Sequence, residues 1–303
     1  MKQDLLDYLV KNGKDKSWDE LAERFSVTSG EAARAIWRKY RKRHGTSKSN
    51  VKILLLDIET APVKAYVWRL WKQDIYIDQI ISEWFMLTWS AKWLFDDEVF
   101  SNRLSKEEVL VENDKRIVEN LRELLQKADI VIGHNCKSFD VPKINARMLI
   151  HNLAPTTFYH QIDTKEVACK QFGFSSNKLD ALAHQFGFEP KKKTDFSLWV
   201  KCLAGEDESL RYMEEYNRHD VELLEEVYLK LRPWIKNHPS LSLYGELNNK
   251  SCTNCGSEEL TPEGHYYTTT GKFVTHRCSC GALSRERVGV KMDKTNLLMP
   301  IGK

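Results

Sequence analysis

At 303 residues the chain is long enough for one substantial core plus one or two small modules, and its 42% hydrophobic and 11% aromatic content describes a packed globular protein. The net charge of +3 excludes a general polycation, so any affinity for nucleic acid has to come from local patches. The opening Met-Lys-Gln-Asp-Leu-Leu develops no signal-peptide apolar core and no stretch is long enough to span a bilayer, so the expectation is a cytoplasmic protein that does not engage membranes.

Residues near 1–45 predict three short helices, with apolar positions Leu5, Leu6 and Leu9, then Trp18, Leu21, Ala22 and Phe25, then Ala32, Ala35, Ile36 and Tyr40. Capping boxes mark two starts, Ser17 with Glu20 and Thr28 with Glu31. Phe25 to Gly30, between the second helix and the third, fits a helix-turn-helix, whose third helix enters the major groove of DNA. Arg34, Arg38, Lys39, Arg41 and Lys42 would then reach phosphates or bases while Trp37 and Tyr40 pack or stack. The alternative is a protein-docking module with solvated charges. Gly45 to Ser49 reads as a linker.

From Val51 the texture changes. A strand over Val51–Asp57 is followed by an aromatic strand region over Trp84–Trp93, a third strand at Val99–Arg103 and a helix over Asp114–Lys127. Asp129–Gly133 then reads as a strand, Val141–His151 as a helix, Phe158–Ile162 as a strand, and several helices follow, the last a long one over Leu210–Leu231. Three strands and then alternating α and β is the order of a ribonuclease-H-like α/β domain, here 51–238, with a mixed sheet flanked by helices. Short β-type segments between cysteine pairs occupy 248–290, ahead of a basic tail at 291–303.

Four acids stand where such a fold has no structural need of them. The first strand is apolar on both faces, Ile53 and Leu55 on one and Leu54 and Leu56 on the other, yet it ends in Asp57-Ile58-Glu59. A side-chain period of two projects both carboxylates from one face, close enough to share a cation; solvation of the strand end is the alternative. Asn135-Cys136-Lys137-Ser138-Phe139-Asp140 follows a strand and precedes a helix with Pro142 in its first turn. Asp140 is therefore either an N-cap or, at the carboxyl end of a strand, a neighbour of the first pair. Asp220 lies in the apolar stripe of its own helix with Met213, Tyr216, Leu223, Leu224 and Val227, where an ionised carboxylate is unfavourable unless paired or bound to metal. Tyr216, four residues earlier, shares that face.

Together these segments resemble the DEDD exonuclease superfamily, which includes polymerase proofreading domains and ribonucleases such as RNase T, over about Val51 to Leu231. The matching residues are Asp57-Ile58-Glu59, Asn135 with Phe139-Asp140, and Tyr216 through Asp220. Tyrosine four residues before the last Asp, with Glu215 where the histidine variant has its base, is similar to the tyrosine variant and most of all to family-B polymerase proofreading domains; His219 is then not the base. The resemblance implies a metal-dependent 3′→5′ exonuclease in which Asp57, Glu59, Asp140 and Asp220 hold two Mg2+ or Mn2+ ions. Asp57 would bridge both, Glu59 and Asp220 would complete the nucleophile-side ion, and Asp140 would act largely through water on the other. Two such ions about 4 Å apart stabilise the attacking and leaving oxygens of phosphodiester hydrolysis, and hard oxygen ligands suit them. By the same resemblance Tyr216 orients the attacking water, Asn135 and Phe139 meet the substrate, and Asp163-Thr164 and Lys178 to Leu182 take supporting roles.

Cys136, Cys169 and Cys202 lie far apart, whereas Cys252, Cys255, Cys278 and Cys280 crowd together, which points to a metal in a reducing compartment rather than a disulfide framework. Two cysteine knuckles, each followed by Gly and separated by the hairpin-like Tyr266 to Val274, resemble a zinc ribbon, where four thiolates close a structural Zn2+ site. The single residue between Cys278 and Cys280 departs from the usual form and leaves His276 or His265 as replacement ligands. The reading is an exonuclease acting on DNA in replication, repair or recombination, its flanking modules holding duplex while the 3′ end enters the acidic site. An RNA exonuclease, a structure-selective endonuclease on the same fold and a non-catalytic DNA-binding regulator are the rivals. The insert from Ala61 to Glu83, with Trp68, Trp71 and Tyr76, is expected to wall off one side of the site, which favours an exonuclease.

Overall fold

The computed structural model describes residues 2–12, 16–44, 51–188, 194–245, 250–293, 295 and 298. The expected linker, Gly45 to Ser49, and most of the tail beyond 293 lie outside them. Three helices open the chain, α1 (Lys2–Asn12), α2 (Trp18–Arg24) and α3 (Gly30–His44), closed around Leu5, Leu9, Trp18, Leu21 and Ala33. The Ser17–Glu20 capping box forms as expected. The one expected at Thr28 and Glu31 does not: α3 starts a residue later, with Ser29 Oγ accepting from Ala32 N at 3.1 Å. Gly30, its first residue, packs so closely on α2 that a Cβ there would collide with Asp19.

β1 (Ile53–Thr60) is an aliphatic run buried on both faces. The insert after it carries β2 (Lys64–Ala65) and β3 (Ile80–Ser82), which pair only with each other. β4 (Met86–Trp93) lies antiparallel to β1 and β5 (Val99–Arg103) antiparallel to β4, while β6 (Ile130–Gly133) and β7 (His160–Asp163) extend the other edge in parallel. The resulting order, β5-β4-β1-β6-β7, is the mixed sheet that the alternation of elements led us to expect. β1 runs three residues beyond the predicted Asp57 because its pairing with β4 continues through Glu59 and Thr60.

The helices on this sheet are α4 (Lys106–Leu110), α5 (Lys115–Leu125), α6 (Asp140–Ile150), α7 (Thr164–Gln171), α8 (Leu179–Gln185), α9 (Phe196–Leu203) and α10 (Asp207–Leu231). Leu54, Leu56 and Ile58 join one core with α5 and α6, and Ile53 and Leu55 join a second with α7, α8 and the C-terminal half of α10. Each buried leucine stabilises by about 2 kcal/mol, so a charge at Leu54 or Leu55 would open one of the two layers. Polar contacts set where α10 lies. Glu225 receives Lys92 Nζ at 2.9 Å and Phe95 N at 2.9 Å, Glu214 receives Ser101 Oγ at 2.6 Å, and Arg218 donates to Val99 O at 2.9 Å. Lys92 and Glu225 are both almost wholly buried, so removing either would strand the other charge at a cost of about 3–5 kcal/mol.

Beyond the sheet, β8 (Leu260–Tyr267), β9 (Lys272–Cys278) and β10 (Leu283–Arg285) form an antiparallel sheet in the order β10-β9-β8. Among the described residues no helix is long and apolar enough to cross a membrane.

Candidate active site

Strand register fixes the first pair of acids. Across the β1–β4 ladder Asp57 stands opposite Ser90 and Glu59 opposite Thr88, so two carboxylates and two small polar side chains share one face. α10 supplies the third acid: carboxylate oxygens of Asp57, Glu59 and Asp220 all lie within 4.8 Å of one another. Asp220 is buried in the helix stripe, and Tyr216 lies one turn before it on the same buried face.

Asp140 reaches the neighbouring backbone rather than this cluster. Gly133 ends β6, where a Cβ would come within 2.4 Å of Cys136 Cβ, and without one the following loop folds tightly under the strand. Asn135 takes φ 74°, a left-handed conformation that asparagine tolerates. Asp163 closes the loop by accepting from Asn135 N at 2.9 Å and Lys137 N at 3.2 Å while also capping α7 through Lys165 N and Glu166 N. Asp140 thereby becomes the first residue of α6, with Phe139 in the cap position, so the N-cap alternative does not hold. Its Oδ1 accepts from Ile58 N at 3.1 Å, between the two β1 acids. Burial pushes this carboxyl up to about 7, against the pull of that hydrogen bond. Asn135, expected to meet substrate, turns its Oδ1 to Lys165 Nζ at 3.2 Å, and the Phe139 ring lies 5.0 Å beneath Lys143 Nζ.

Two residues at this site escaped the sequence reading. Asn217, wholly buried and three residues before Asp220, donates from Nδ2 to Asp57 Oδ2 at 2.6 Å and so ties α10 to β1 at the acids. A buried Asn one turn from a buried Asp was the available signal. Lys143, one turn after Asp140, sets its Nζ 3.7 Å from the Trp84 ring and 3.4 Å from Thr60 Oγ1. Burial pulls its pKa down, opposed by Asp140. The donor set fits a divalent cation: the three acids offer hard oxygens, and Asn217 Oδ1 and the facing Ser90 Oγ are buried without a hydrogen-bond partner among the described residues.

A second cluster is made wholly of sulfur. Cys252, Cys255, Cys278 and Cys280 lie within 4.8 Å of one another, with Cys255 Sγ 3.5 Å from Cys278 Sγ. Gly256 and Gly281, at φ 75° and 91°, make the left-handed turns that close the two knuckles, and Cys280 N reaches Cys278 Sγ at 3.5 Å across the single spacer residue. Neither histidine lies in the cluster: His276 Nε2 pairs with Glu286 at 3.0 Å, and His265 stands on β8 outside it. Hydrogen bonds with the Cys255 and Cys280 sulfurs pull the Cys252 thiol down, opposed by Cys278 and by burial.

Arg34, expected to reach DNA, lies against α10, 3.3 Å from both Glu222 and Glu226, and Trp18 Nε1 donates to Glu226 at 3.3 Å. Lys39 is exposed, Trp37 stacks on Tyr40, and the side chains of Arg38, Arg41 and Lys42 lie outside the described residues.

The family profile RNase_H_2, described as RNase_H superfamily, matches residues 95–232. The match takes in Asp140, Tyr216 and Asp220 and begins after β1, so Asp57 and Glu59 precede it. No curated protein matches the chain in sequence. Among solved structures, the chain is similar to the family B DNA polymerase from the hyperthermophilic archaeon Pyrobaculum calidifontis, at a TM-score of 0.47 and 13% identity over 64% of this chain. It spans only 25% of that polymerase's length. The sheet order, its flanking helices and the profile match over 95–232 agree with a ribonuclease-H-like fold.

Proposed function

We propose that the chain is a metal-dependent nuclease that hydrolyses phosphodiester bonds of DNA from the 3′ end. The observation that carries this reading is the convergence of Asp57, Glu59 and Asp220 from β1 and α10 within a ribonuclease-H-like domain. Mg2+ or Mn2+ held by these acids, two ions in the DEDD resemblance, would activate water and neutralise charge on the attacking and leaving oxygens. Asn217 holds the Asp57 carboxylate in one orientation, and Asp140 is locked to the strand backbone at Ile58, where it can act on water beside the first pair. Tyr216 orients the attacking water through its hydroxyl; a phenol is a poor base at neutral pH but both donates and accepts. The four cysteines would hold one structural Zn2+. Lys39, with Arg38, Arg41 and Lys42, contacts duplex phosphates, whereas Arg34 joins α3 to the catalytic domain.

Linear DNA and linear RNA labelled at the 5′ end, and circular single-stranded DNA labelled internally, each incubated with Mg2+, test the reading. Linear DNA should shorten one nucleotide at a time from the 3′ end while the circle survives. Rapid cutting of the circle would overturn the exonuclease in favour of an endonuclease, and shortening of RNA alone would overturn the choice of DNA.

A further inference from the structure

The insert between β1 and β4 leaves its large side chains in solvent. Trp68 is 94% exposed, Trp71 80% and Tyr76 70%, with Tyr66, Leu70 and Ile77 beside them. Such a cluster on a soluble surface marks a contact with something else. The insert is nevertheless built rather than loose. β2 pairs with β3, Tyr66 N donates to Gln79 O at 2.9 Å, and Gln79 Nε2 returns to Tyr66 O at 3.1 Å. Arg69 Nη2 donates to Lys72 O and Gln73 Nε2 to Arg69 O, each at 2.6 Å, so the turn over 69–73, which follows Trp68 and carries Trp71, is held at both ends.

Its charge and its place decide what covers it. Arg69 and Lys72 flank Trp68 and Trp71 with no acid between Ala61 and Gln73, whereas Asp74 and Asp78 flank Tyr76 and Lys64 pairs with Glu112, so the cations belong to the tryptophan end of the arm. Protein interfaces deplete lysine from their core, whereas aromatic rings set among cations are what an unpaired nucleic-acid strand stacks on and pairs with. The arm also begins at the acidic cluster, since Thr60 follows Glu59 directly. A groove of about 500 Å³ lies at its root, lined by Thr60, Trp84, Lys143, Asp195, Phe196 and Trp199 among others. Trp199 Nε1 holds Thr60 O at 3.2 Å, and Lys143 lies over Trp84, so one wall continues the same pairing of cation and ring.

We propose that the arm is a binding surface for the single strand of nucleic acid whose end lies at the acidic cluster, with Trp68 and Trp71 stacking on bases and Arg69 and Lys72 meeting phosphates. This rests on the nuclease reading for its substrate and adds to it a surface outside the metal-binding acids. The strand runs from the acids through the groove to the arm, so a substrate too short to leave the groove gains nothing from it.

The test compares full-length wild type with Trp68→Ala/Trp71→Ala and Trp68→Phe/Trp71→Phe. Fluorescein-labelled 20-nucleotide oligothymidylate and oligouridylate are titrated in EDTA, and cleavage of a dinucleotide and of the 20-mer is measured in Mg2+. The alanine pair should weaken 20-mer binding about ten-fold for each ring and slow its cleavage at low concentration, leave dinucleotide cleavage unchanged, and recover with phenylalanine. Weakening with one oligonucleotide alone assigns the strand as DNA or RNA. Unaltered 20-mer affinity overturns the arm, as does a variant that changes only the oligomeric state, which would make the surface a contact between copies. If wild type binds the 20-mer through these tryptophans and cleaves nothing, the arm stands and the nuclease reading falls; cleavage that ignores both rings has the reverse meaning.

Discussion

Replacing Asp57 with asparagine tests the acidic cluster before any substrate is added. Carboxylate oxygens of Asp57, Glu59 and Asp220 lie within 4.8 Å of one another. At that separation and an effective dielectric constant near 20, two full charges repel by about 3 kcal/mol, and Asp57 takes part in two such pairs. Asp57 and Glu59 are only partly buried, so solvent screening removes roughly half of that energy. The amide introduced by Asp57→Asn keeps a neutral hydrogen bond with Asn217 in place of a charge-assisted one, a loss of about 1 kcal/mol. The metal-free protein should therefore gain about 2 kcal/mol from Asp57→Asn, an uncommon sign for a change at a half-buried site. Urea denaturation at neutral pH in EDTA reads that gain directly, and repeating it in Mn2+ should stabilise wild type strongly and the variant much less. A variant less stable than wild type in EDTA, or one that gains as much from Mn2+, would refute the reasoning that this triad is a strained, cation-seeking site.

Asn217→Ala should weaken Mn2+ binding about 10- to 100-fold by freeing the Asp57 carboxylate; calorimetric titration giving the wild-type affinity would remove Asn217 from a positioning role. Arg34→Ala should speed hydrogen exchange in α2 and α3 by releasing them from Glu222 and Glu226, whereas Lys39→Ala should not; equal rates in the two variants would mean that the ion pairs do not hold the module. Metal analysis should find one zinc per chain in wild type and in Asp57→Asn but not in Cys278→Ser, and a zinc content that follows Asp57 instead would contradict the cysteine assignment. His238 gives a pH signature. Its Nδ1 donates to Pro239 O and its Nε2 meets the Tyr228 hydroxyl, each at 2.8 Å, and in the neutral ring Nε2 accepts from that hydroxyl. Burial pulls its pKa down from 6.5 to about 4, so protons favour the unfolded chain. Stability present above pH 6.5 should be lost as pH falls towards 4, by about 3 kcal/mol relative to His238→Gln; a stability difference that stays flat across this window would remove the effect.

The order of strands and helices was legible because burial on both faces of β1 and a 3.6-residue stripe on α10 leave few other arrangements. Asp57, Glu59 and Asp220 stood out for the same reason, as charges placed where apolar periodicity called for none. Asp140 was ambiguous, since an acid before a first-turn proline suits a cap as well as a site, and only Gly133 and Asp163 together decide how the loop delivers it. Asn217 stayed hidden because its partner is 160 residues away and asparagine in a helix has many uses. Arg34 misled for a related reason: an amphipathic pattern shows that a charge lies off the apolar stripe but not which neighbour it meets. The close fit of Gly30 against Asp19 at the start of α3 is a contact that no local pattern encodes.

The central claim is that Asp57, Glu59 and Asp220 form the hydrolytic centre. Its most direct test is the initial rate of phosphodiester cleavage on an end-labelled single strand, measured across a Mn2+ titration for wild type and Asp220→Asn with folding checked in parallel. Wild type should be silent in EDTA and turn over once Mn2+ is added. The folded variant should be slower by more than about a hundred-fold, beyond what losing a partner behind the ligands costs. Metal-independent cleavage by wild type, or equal rates from the two proteins, would contradict the account.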